Sequence, residues 1–318
     1  MNLTNNEKHY NTLTNYYQYK YGKKVAKISL NAGFTCPNKD GKKGYGGCTY
    51  CSKLGAGDFA GDKHDPIPVQ FQKIKEIINK KWADTLYIPY LQANTNTYGS
   101  VEKLTKVYEE LLNLDHNVCE IAIATRADEL EDEKIELLSK INKKIPVQIE
   151  LGLQTSNETT AKLINRNCEN SEFTDAVYRL RKHNIEVVVH IMNGLPGETK
   201  DDMLNTIDFI NQLDIQGVKI HSLCILKNTK MGDDFIKNPW PVMSLEEYVD
   251  ITVLQIAKLN PNFIIHRLSA DFALDDLIEP LWTRKKMIVM NEIDKKLRAL
   301  NLYQGDHFNN GQPSYTKK

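Results

Sequence analysis

The chain alternates short runs of apolar, often β-branched residues with longer segments in which apolar residues recur every three or four positions. The short runs are typical of strands buried on both faces of a parallel sheet. The longer segments are typical of amphipathic helices. Strands are predicted over residues 25–30, 85–91, 120–125, 146–151, 185–192 and 217–226. Helices are predicted over residues 69–81, 101–112, 132–141, 172–183 and 201–213.

This alternation of strands and helices predicts an α/β fold with a parallel sheet. The start of the last predicted helix supports it, because Thr199 is a suitable cap and Asp201 and Asp202 place acids in the first turn. Six strands are two fewer than a closed eight-stranded barrel needs. The pattern therefore predicts an open, partial (β/α)6 TIM-like barrel.

The regular alternation of predicted strands and helices stops after about residue 230. Ser244 and Glu247 have the spacing of a capping box at the start of a helix. Residues 262–271 contain a candidate further strand, residues 284–301 form an amphipathic pattern, and residues 309–318 are predicted to be disordered. We therefore divide the chain into an N-terminal extension (1–24), a barrel core (25–235) and a C-terminal extension (236–318) that completes the barrel side.

Composition narrows the class of protein. The 318 residues carry no net charge at pH 7, so there is no global attraction to nucleic acid. The first residues lack the apolar region of a secretory signal, and no run of eighteen apolar residues is present. Six unevenly placed cysteines favour a reducing compartment. We expect a cytoplasmic protein without a membrane partner.

Three of the cysteines, Cys36, Cys48 and Cys51, follow the first predicted strand. In α/β barrels the functional loops collect at this end of the strands. A zinc site would need a fourth ligand, and His64 is the near candidate. The alternative is an iron–sulfur cluster in which three irons take thiolates and the fourth stays open for a ligand with adjacent amino and carboxylate groups.

The spacing C-x(11)-C-x-aromatic-C after the first strand resembles the radical S-adenosylmethionine (SAM) superfamily. The long first spacing is similar to the subgroup of the YhcC and YtqA proteins, which is related to the radical domain of the Elongator catalytic subunit. The resemblance runs from about residue 8 to about residue 305. It is carried by "FTCPN" (34–38), "YLQANTNTYG" (90–99), "ATRAD" (124–128), "IELGLQT" (149–155), "INR" (164–166), "MNGLPGET" (192–199) and "IHRLSAD" (265–271).

The resemblance implies a [4Fe–4S] cluster on the three cysteines and SAM on its open iron. It places Tyr50 against the adenine of SAM. Gln92, Asn94 and Asn96 end the second strand, where the family recognises the methionine amino group, and their carbonyls are suitable acceptors. The alternative for these amides is a turn that they stabilise through their own side chains.

Further SAM contacts are expected at the ends of later strands. Arg166 follows the fourth strand, where its fork of N–H groups suits the methionine carboxylate. Glu150 and Gln154 are candidates for the ribose hydroxyls. Ile191 and Gly194, in and after the fifth strand, resemble the wall beside the adenine. The sequence identifies no catalytic residue.

Substrate contacts are predicted from local basic patches. Residues 10–27 interleave five tyrosines with lysines and no acid, which suits single-stranded RNA, and Lys20, Lys23 and Lys24 are its central cations. The alternative is a solvated arm whose tyrosines pack on the barrel. His266 and Arg267 are further candidates. His190 and His221 lie on predicted strands and are expected to be core histidines.

The resemblance also implies a substrate, the wobble uridine of bacterial tRNA, with 5-carboxymethylaminomethyluridine converted to 5-aminomethyluridine. The implied partners are tRNA, a reductant such as flavodoxin or ferredoxin, and a downstream methyltransferase. Two alternatives stay open. A radical enzyme for a small metabolite or protein predicts a cavity without a basic rim, and a non-enzymatic iron–sulfur RNA-binding protein predicts a cluster without a SAM pocket.

Overall fold

The computed structural model describes residues 3–5, 7–53, 55 and 57–309. Its strands are β1 (Val25–Leu30), β2 (Leu86–Leu91), β3 (Ile121–Thr125), β4 (Val147–Gln154), β5 (Glu186–Asn193), β6 (Gly217–Ser222), β7 (Ile225–Leu226), β8 (Ile264–Arg267) and β9 (Leu277–Glu279). Its α-helices are α1 (Leu13–Tyr21), α2 (Ile67–Asn79), α3 (Val101–Leu112), α4 (Asp132–Asn142), α5 (Glu158–Leu163), α6 (Asn170–Lys182), α7 (Lys200–Asn211), α8 (Lys230–Lys237), α9 (Leu245–Lys258) and α10 (Lys286–Leu300).

Seven strands form one parallel sheet in the order β1-β2-β3-β4-β5-β6-β8. The sheet curls into a half-barrel, so the predicted α/β partial barrel is confirmed. It has one strand more than the first six predicted, because the candidate strand within residues 262–271 joins it as β8. Strands β1 and β8 are its two edges. We call the gap between these edge strands the seam.

Side chains alternate between the two faces of this sheet, as they must along a strand. In β5, Val189 and Ile191 face outward and are buried under the helices, whereas His190 and Met192 face inward and keep partial exposure. In β4, Gly152 repeats the inward, half-exposed position. The helices therefore cover the outer face, and the interior stays accessible near the carboxyl ends of the strands.

Helix α1 closes the amino end of the half-barrel. Tyr17 packs with the inward-facing Ile88 and Tyr90, and Lys20 Nζ donates to Glu120 Oε1 (2.5 Å), which directly precedes β3. The rest of the arm joins the fold through Asn11, whose carbonyl accepts from Ile265 N of β8 (2.8 Å). The arm is therefore a structural part of the barrel at the end opposite the cysteines.

Local patterns predicted two helix starts correctly and one strand incorrectly. Thr199 and Ser244 are N-caps whose side chains accept from the third residue of their helices, as predicted. The predicted strand 217–226 is wrong as one element, because β6 ends at Ser222 and the chain then turns. Residues 225–226 form β7, which pairs antiparallel with β9.

The predicted disordered tail lies, apart from Asn309, outside the described residues. Among the described helices, none is long and apolar enough to cross a membrane.

Candidate active site

The three cysteines lie on the long loop that follows β1, at the carboxyl end of the sheet. Each is a half-buried free thiol. Two tight turns shape the loop at these positions, since Lys39 N donates to Cys36 O (2.8 Å) and Cys51 N donates to Cys48 O (3.0 Å). The chain thus brings Cys48 and Cys51 together and holds Cys36 on a separate turn of the same loop.

The surroundings of these thiols favour a thiolate at Cys48. A hydrogen bond from Cys51 lowers the Cys48 pKa to about 6, and the positive charge of Arg126 and a hydrogen bond from Tyr50 act in the same direction against burial. Asn38 Nδ2 also donates to Cys48 Sγ (3.7 Å). The same shared hydrogen bond raises the pKa of Cys51. Positive charge and hydrogen-bond donors around thiols are the environment of reactive and metal-binding cysteines.

Two asparagines clamp the cysteine loop onto the segment after α5. Asn38 Nδ2 donates to Asn165 O (2.6 Å), and Asn165 Nδ2 donates back to Gly47 O (2.7 Å). Gly44 is needed for this contact, because a Cβ there would lie 2.4 Å from Asn38 Oδ1. Lys39 Nζ ties the other end of the loop by donating to Ser52 O and to Asn94 Oδ1 (both 3.0 Å).

The thiols fit a cluster better than a single ion. Across the described part of the chain, no three His, Cys, Asp or Glu side chains are grouped so that they could hold one metal ion. His64, the candidate fourth zinc ligand, is solvent-exposed. A four-iron cluster takes each thiolate on a different iron, so its cysteines need not converge on one point. Three free thiols on one loop fit a cluster with one open iron.

Tyr50 lies in the sequence between two of the thiols, Cys48 and Cys51. It packs against a small apolar cluster that contains Ile164, Leu195 and Leu223. Gly194, next to Leu195, has a φ of 86°, a conformation that favours glycine. The structure thus places Tyr50 in the same apolar cluster as Leu195 of the "GLPG" turn.

The three amides after β2 have different surroundings. Asn94 is structural, since its Oδ1 accepts from Lys39 and its Nδ2 donates to Phe34 O (3.1 Å). Asn96 Nδ2 donates to Leu91 O (3.0 Å) and Ala124 O (2.8 Å), while its buried Oδ1 has no partner among the described residues. Gln92 is half-buried at the end of the strand. Gln92 and the Asn96 carbonyl therefore remain candidates for a ligand amine.

Glu150 does not lie at the mouth, and the structure corrects its expected role. It is 1 % exposed inside the barrel. Its Oε1 accepts from Lys27 Nζ (2.6 Å), and its Oε2 accepts from Lys219 Nζ and the Tyr90 hydroxyl and lies 2.9 Å from His190 Nε2. These contacts hold its pKa well below its usual range through Lys219 and Lys27, against the effect of burial. The carboxylate is thus engaged by two ammonium groups inside the barrel and does not lie where it could hold ribose at the mouth.

The structure also corrects the role expected of Arg166. Its Nε and Nη1 donate to the backbone carbonyls of Cys168, Leu153 and Thr155 (2.8 Å each), and its Nη2 donates to Asn170 Oδ1 (2.9 Å). Nη2 also lies 3.4 Å from Glu158 Oε2. All five N–H groups thus have protein partners, so a grip on a methionine carboxylate would break bonds that hold the loop after β4.

Gln154 and Ile191, two further predicted SAM contacts, lie on different sides of the sheet. Gln154 ends β4 with a φ of 66°, an uncommon conformation for a residue with a side chain, and such strain collects at functional sites. Its Nε2 lies 2.7 Å from the position that a Cβ on Gly152 would occupy, so the side chain folds over the barrel interior. Ile191 is 1 % exposed in the outer core, so its side chain cannot line the interior.

The predicted substrate residues separate into three groups. Lys20 belongs to the floor of the barrel. His266 lines a different cavity, of 370 Å³, at the amino end of the sheet. A cavity of 210 Å³ at the seam is lined by Leu13, Thr14, Tyr17, Gln18, Lys23, Lys24, Val25, Lys27 and Arg267. Four of these nine residues are cationic and none is acidic, although Lys23, Lys27 and Arg267 each pair with an acid outside the lining. We call these four cations the basic rim of the seam.

Arg126 and Lys219 are the main residues that the sequence reasoning missed. Arg126 follows β3 and donates through Nε and Nη2 to both oxygens of Asp128. Its guanidinium also interacts electrostatically with Cys48 and Cys36. It belongs to "ATRAD", and its position at a strand end is the signal that could have singled it out. Lys219 is a cation within an apolar strand, a pattern that indicates a buried partner.

Two family descriptions match the chain, "Radical SAM superfamily" over residues 36–210 and "Radical_SAM C-terminal domain" over residues 215–299. YtqA of Bacillus subtilis is 42 % identical over 305 residues, which span 96 % of this chain and 94 % of that protein. YhcC of Escherichia coli K12 is 31 % identical and covers 87 % of this chain and 89 % of its own length. The tRNA-2-methylthio-N(6)-dimethylallyladenosine synthase of Clostridium botulinum is 25 % identical over 57 % of this chain and 40 % of the synthase.

A solved structure supports the fold. The archaeal Elp3 of Methanocaldococcus infernus superposes with a TM-score of 0.65 at 14 % identity, covering 89 % of this chain and 64 % of Elp3. At that identity the likeness shows the fold. Together with the family matches and the three thiols at the mouth of the half-barrel, it leads to one conclusion. The chain belongs to the radical SAM superfamily, whose members use a [4Fe–4S] cluster and S-adenosylmethionine.

Proposed function

We propose that the chain is a tRNA-modifying radical SAM enzyme that converts wobble 5-carboxymethylaminomethyluridine to 5-aminomethyluridine. The observation that carries RNA as the substrate class is the basic rim of the seam. A small-metabolite enzyme has no need of cations outside its pocket. A polynucleotide that inserts one base keeps its phosphates outside the barrel, where lysines contact them.

The seam offers these contacts in a suitable form. Lys23 pairs with the exposed Asp84 (2.7 Å), an ion pair that contributes little and that a phosphate can replace. Lys24 Nζ lies 4.6 Å from the ring centre of Trp82, which is 45 % exposed. An exposed ring beside a cation suits an unstacked base. The rim thus combines phosphate contacts with a stacking surface.

The relatives add weaker support for the same class. The Clostridium botulinum synthase is named for a tRNA nucleoside, and it shares with this chain a segment of 189 residues. The choice of the wobble uridine follows from the resemblance to the YhcC and YtqA subgroup and to the Elongator catalytic subunit. It makes a chemical demand on the barrel, namely room for a carboxylate.

Cys36, Cys48 and Cys51 are the residues that would hold the cluster, and Tyr50 and Gln154 are the residues that would enclose SAM. When bound, the two groups supply a 5′-deoxyadenosyl radical that removes a hydrogen atom. On the substrate, the methylene between nitrogen and carboxylate loses a hydrogen atom and then one electron. Water adds to the resulting C=N bond and releases the 5-aminomethyl group and glyoxylate. That electron replaces the one supplied by flavodoxin or ferredoxin, so SAM is the net two-electron oxidant.

The test is nucleoside mass spectrometry of tRNA from cells with and without the gene. Loss of the gene should remove 5-aminomethyluridine and its downstream forms and accumulate 5-carboxymethylaminomethyluridine. In vitro, glyoxylate and 5′-deoxyadenosine should form in equal amounts with the modified tRNA. Equal levels of the 5-aminomethyl product with and without the gene would overturn the proposal, while membership of the radical SAM superfamily would stand.

A further inference from the structure

Two lysines inside the half-barrel share one carboxylate. Lys27 of β1 donates to Glu150 Oε1 and to Gln148 Oε1 (2.7 Å), and Lys219 of β6 donates to Glu150 Oε2. Both ammonium groups also lie over the Tyr90 ring, at 5.2 and 4.9 Å from its centre. We call Lys27, Tyr90, Glu150, His190 and Lys219 the interior cluster.

The interior cluster has more positive than negative charge. Glu150 is its one carboxylate, and two ammonium groups depend on it. Arg267 adds a third cation nearby and has its own partner, Asp271, which also pairs with Lys286. His190 does not change this balance, because burial and the charge of Lys219 lower its pKa to about 4. Unpaired charge in a protein interior is costly, so the arrangement lacks an anion.

The pKa of Lys219 reflects this shortage of negative charge. Its side chain is 8 % exposed. Burial lowers its pKa to about 7, and the charges of Lys27 and Arg267 add to this effect, while Glu150 alone opposes it. A lysine with a full counter-charge would keep a higher pKa.

A neighbouring histidine also has an unused hydrogen-bonding group. His221 Nε2 is buried and has no hydrogen-bond partner within the described ranges. Its ring lies 5.4 Å from the His190 ring, on the inward face of β6 two residues after Lys219. Buried polar atoms in native structures are normally satisfied, and an exception often marks a ligand site. His221 can therefore donate to a group bound beside Lys219.

The interior cluster keeps some contact with solvent, since the side chains of Lys27 and His190 are each 17 % exposed. It lies on the inward face, below Gly152 and Met192, which keep partial exposure. Glu150 precedes the end of β4 by four residues, or about 13 Å at 3.3 Å per residue. Lys27 and Arg267 also line the seam cavity. A base that enters the half-barrel can thus bring its substituent to the cations.

We propose that Lys219, Lys27 and His221 form a subsite for an oxyanion of the substrate, which in the proposed function, on which this inference rests, is the carboxylate of the carboxymethylaminomethyl group. The cations hold the carboxylate so that the adjacent methylene points up toward the cysteine loop. Glu150 pairs with both lysines when the subsite has no anion. The same charges reject the 5-aminomethyl product, which is cationic at this position.

Binding should be linked to a proton. An anion beside Lys219 favours its ammonium form, so binding takes up a proton and weakens as pH rises above about 7. The charged and titratable groups around Lys219 are Lys27 of β1, Tyr90 of β2, Glu150 of β4, His190 of β5, His221 of β6, and His266 and Arg267 of β8.

The experiment uses two kinds of probe with the full chain. The first pair is N-methylglycine and N-methylglycinamide, which differ in the carboxylate. The second pair is anticodon stem-loop RNA with 5-carboxymethylaminomethyluridine or 5-aminomethyluridine at the wobble position. Wild-type protein should prefer the carboxylate member of each pair by about tenfold, the value of one charge-assisted hydrogen bond.

Replacing Lys219 and replacing Glu150 should change the affinity for N-methylglycine in opposite directions. Lys219→Met should abolish the preference for the carboxylate, and Lys219→Arg should retain it. Glu150→Gln removes the competing carboxylate and should tighten binding of N-methylglycine. Each of the Met and Gln variants breaks the same buried pair, so a general loss of stability cannot produce opposite changes in affinity. Thermal unfolding verifies that each variant folds.

The outcomes are distinguishable. The subsite is overturned if wild-type protein binds N-methylglycine and its amide equally, or if Lys219→Met keeps the preference. It is also overturned if Glu150→Gln weakens binding of N-methylglycine as much as Lys219→Met does. If neither RNA binds while N-methylglycine is still preferred, the proposed function fails and the oxyanion subsite stands.

Discussion

Arg126 Nη1 donates to the backbone carbonyl of Arg166 at 2.9 Å, which joins the loop after β3 to the loop after β4. Arg126 Nη2 extends the contact to Asn167 O (2.8 Å). Both loops reach the cysteines, the first through the charge of Arg126 near Cys48 and the second through the clamp between Asn165 and the cysteine loop. The two arginines therefore fix the walls of the cysteine site to each other.

This arrangement predicts that Arg166→Ala destabilises the fold. The change removes the arginine donors of three backbone carbonyls, of which Leu153 O keeps the Thr155 N–H, and we expect a loss of about 3 kcal/mol in the free energy of unfolding. Denaturant unfolding measures it. Arg181→Ala, which removes a pair with the exposed Asp214 and one bond to Ile185 O, is the control and should cost about 1 kcal/mol, less than Arg166→Ala with its three carbonyl bonds. Unchanged stability with a tenfold loss of SAM affinity would instead restore the carboxylate-binding role of Arg166.

Local sequence patterns predicted the scaffold well, while contacts between distant residues were beyond them. The bounds of β1 and α3 agree with the prediction to the residue, because apolar periodicity reports burial directly. The contact between Asn38 and Asn165 spans 127 positions, and nothing local to either residue encodes it. Helix α1 was missed as a helix for a related reason, since its tyrosines pack into the barrel floor without an amphipathic stripe.

The candidate site shows the same limit. The cysteine spacing identified the loop, because its three thiols lie within sixteen consecutive residues, 36–51. The roles of Glu150 in β4 and of Arg166 after it were harder to predict. They depend on partners from other strands and on backbone carbonyls. A motif places a charged residue at a strand end, and tertiary contacts then decide whether its charge is free for a ligand.

Anaerobic reconstitution of the chain should give about four irons per protein, as three thiolates and an open position require. Cys36→Ala, Cys48→Ala or Cys51→Ala should each abolish the bound iron and the brown colour. Cys224→Ala is the matched control, because Cys224 is a buried thiol in a separate apolar cluster. Iron and acid-labile sulfide analysis measures the content. About one zinc per anaerobically purified protein, without colour, would contradict the cluster.

Stability should depend on the ionisation of Glu198. Burial raises its pKa to about 7, and its Oε2 has no partner among the described residues, although the Thr155 hydroxyl donates to Oε1. The folded state therefore holds a proton that the unfolded chain releases above its ordinary pKa of 4.5. The contribution of this group to the free energy of unfolding should fall as pH rises from about 4.5 to about 7, and stay low above that.

Glu198→Gln tests this dependence, because an amide keeps the contact with Thr155 and cannot ionise. Urea unfolding of the variant should show a flatter profile between pH 4.5 and 7 and a higher stability than wild type at pH 8. Asp201→Asn, at an exposed position of the next helix, is the control and should leave the profile unchanged. Parallel pH profiles for wild type and Glu198→Gln would show that Glu198 ionises normally in the folded protein.

The seam makes a quantitative prediction for RNA binding. Each phosphate contact on a single strand contributes about −0.7 to the slope of log affinity against log salt. Replacing Lys23 and Lys24 with alanine removes two cations of the seam cavity and should flatten the slope by about 1.4. Lys143 and Lys144 are the matched control, since both are exposed and also lie before the start of a strand, away from the seam. If the two double variants change the slope equally, the seam has no special part in binding, and an unchanged slope in both places the RNA elsewhere on the protein.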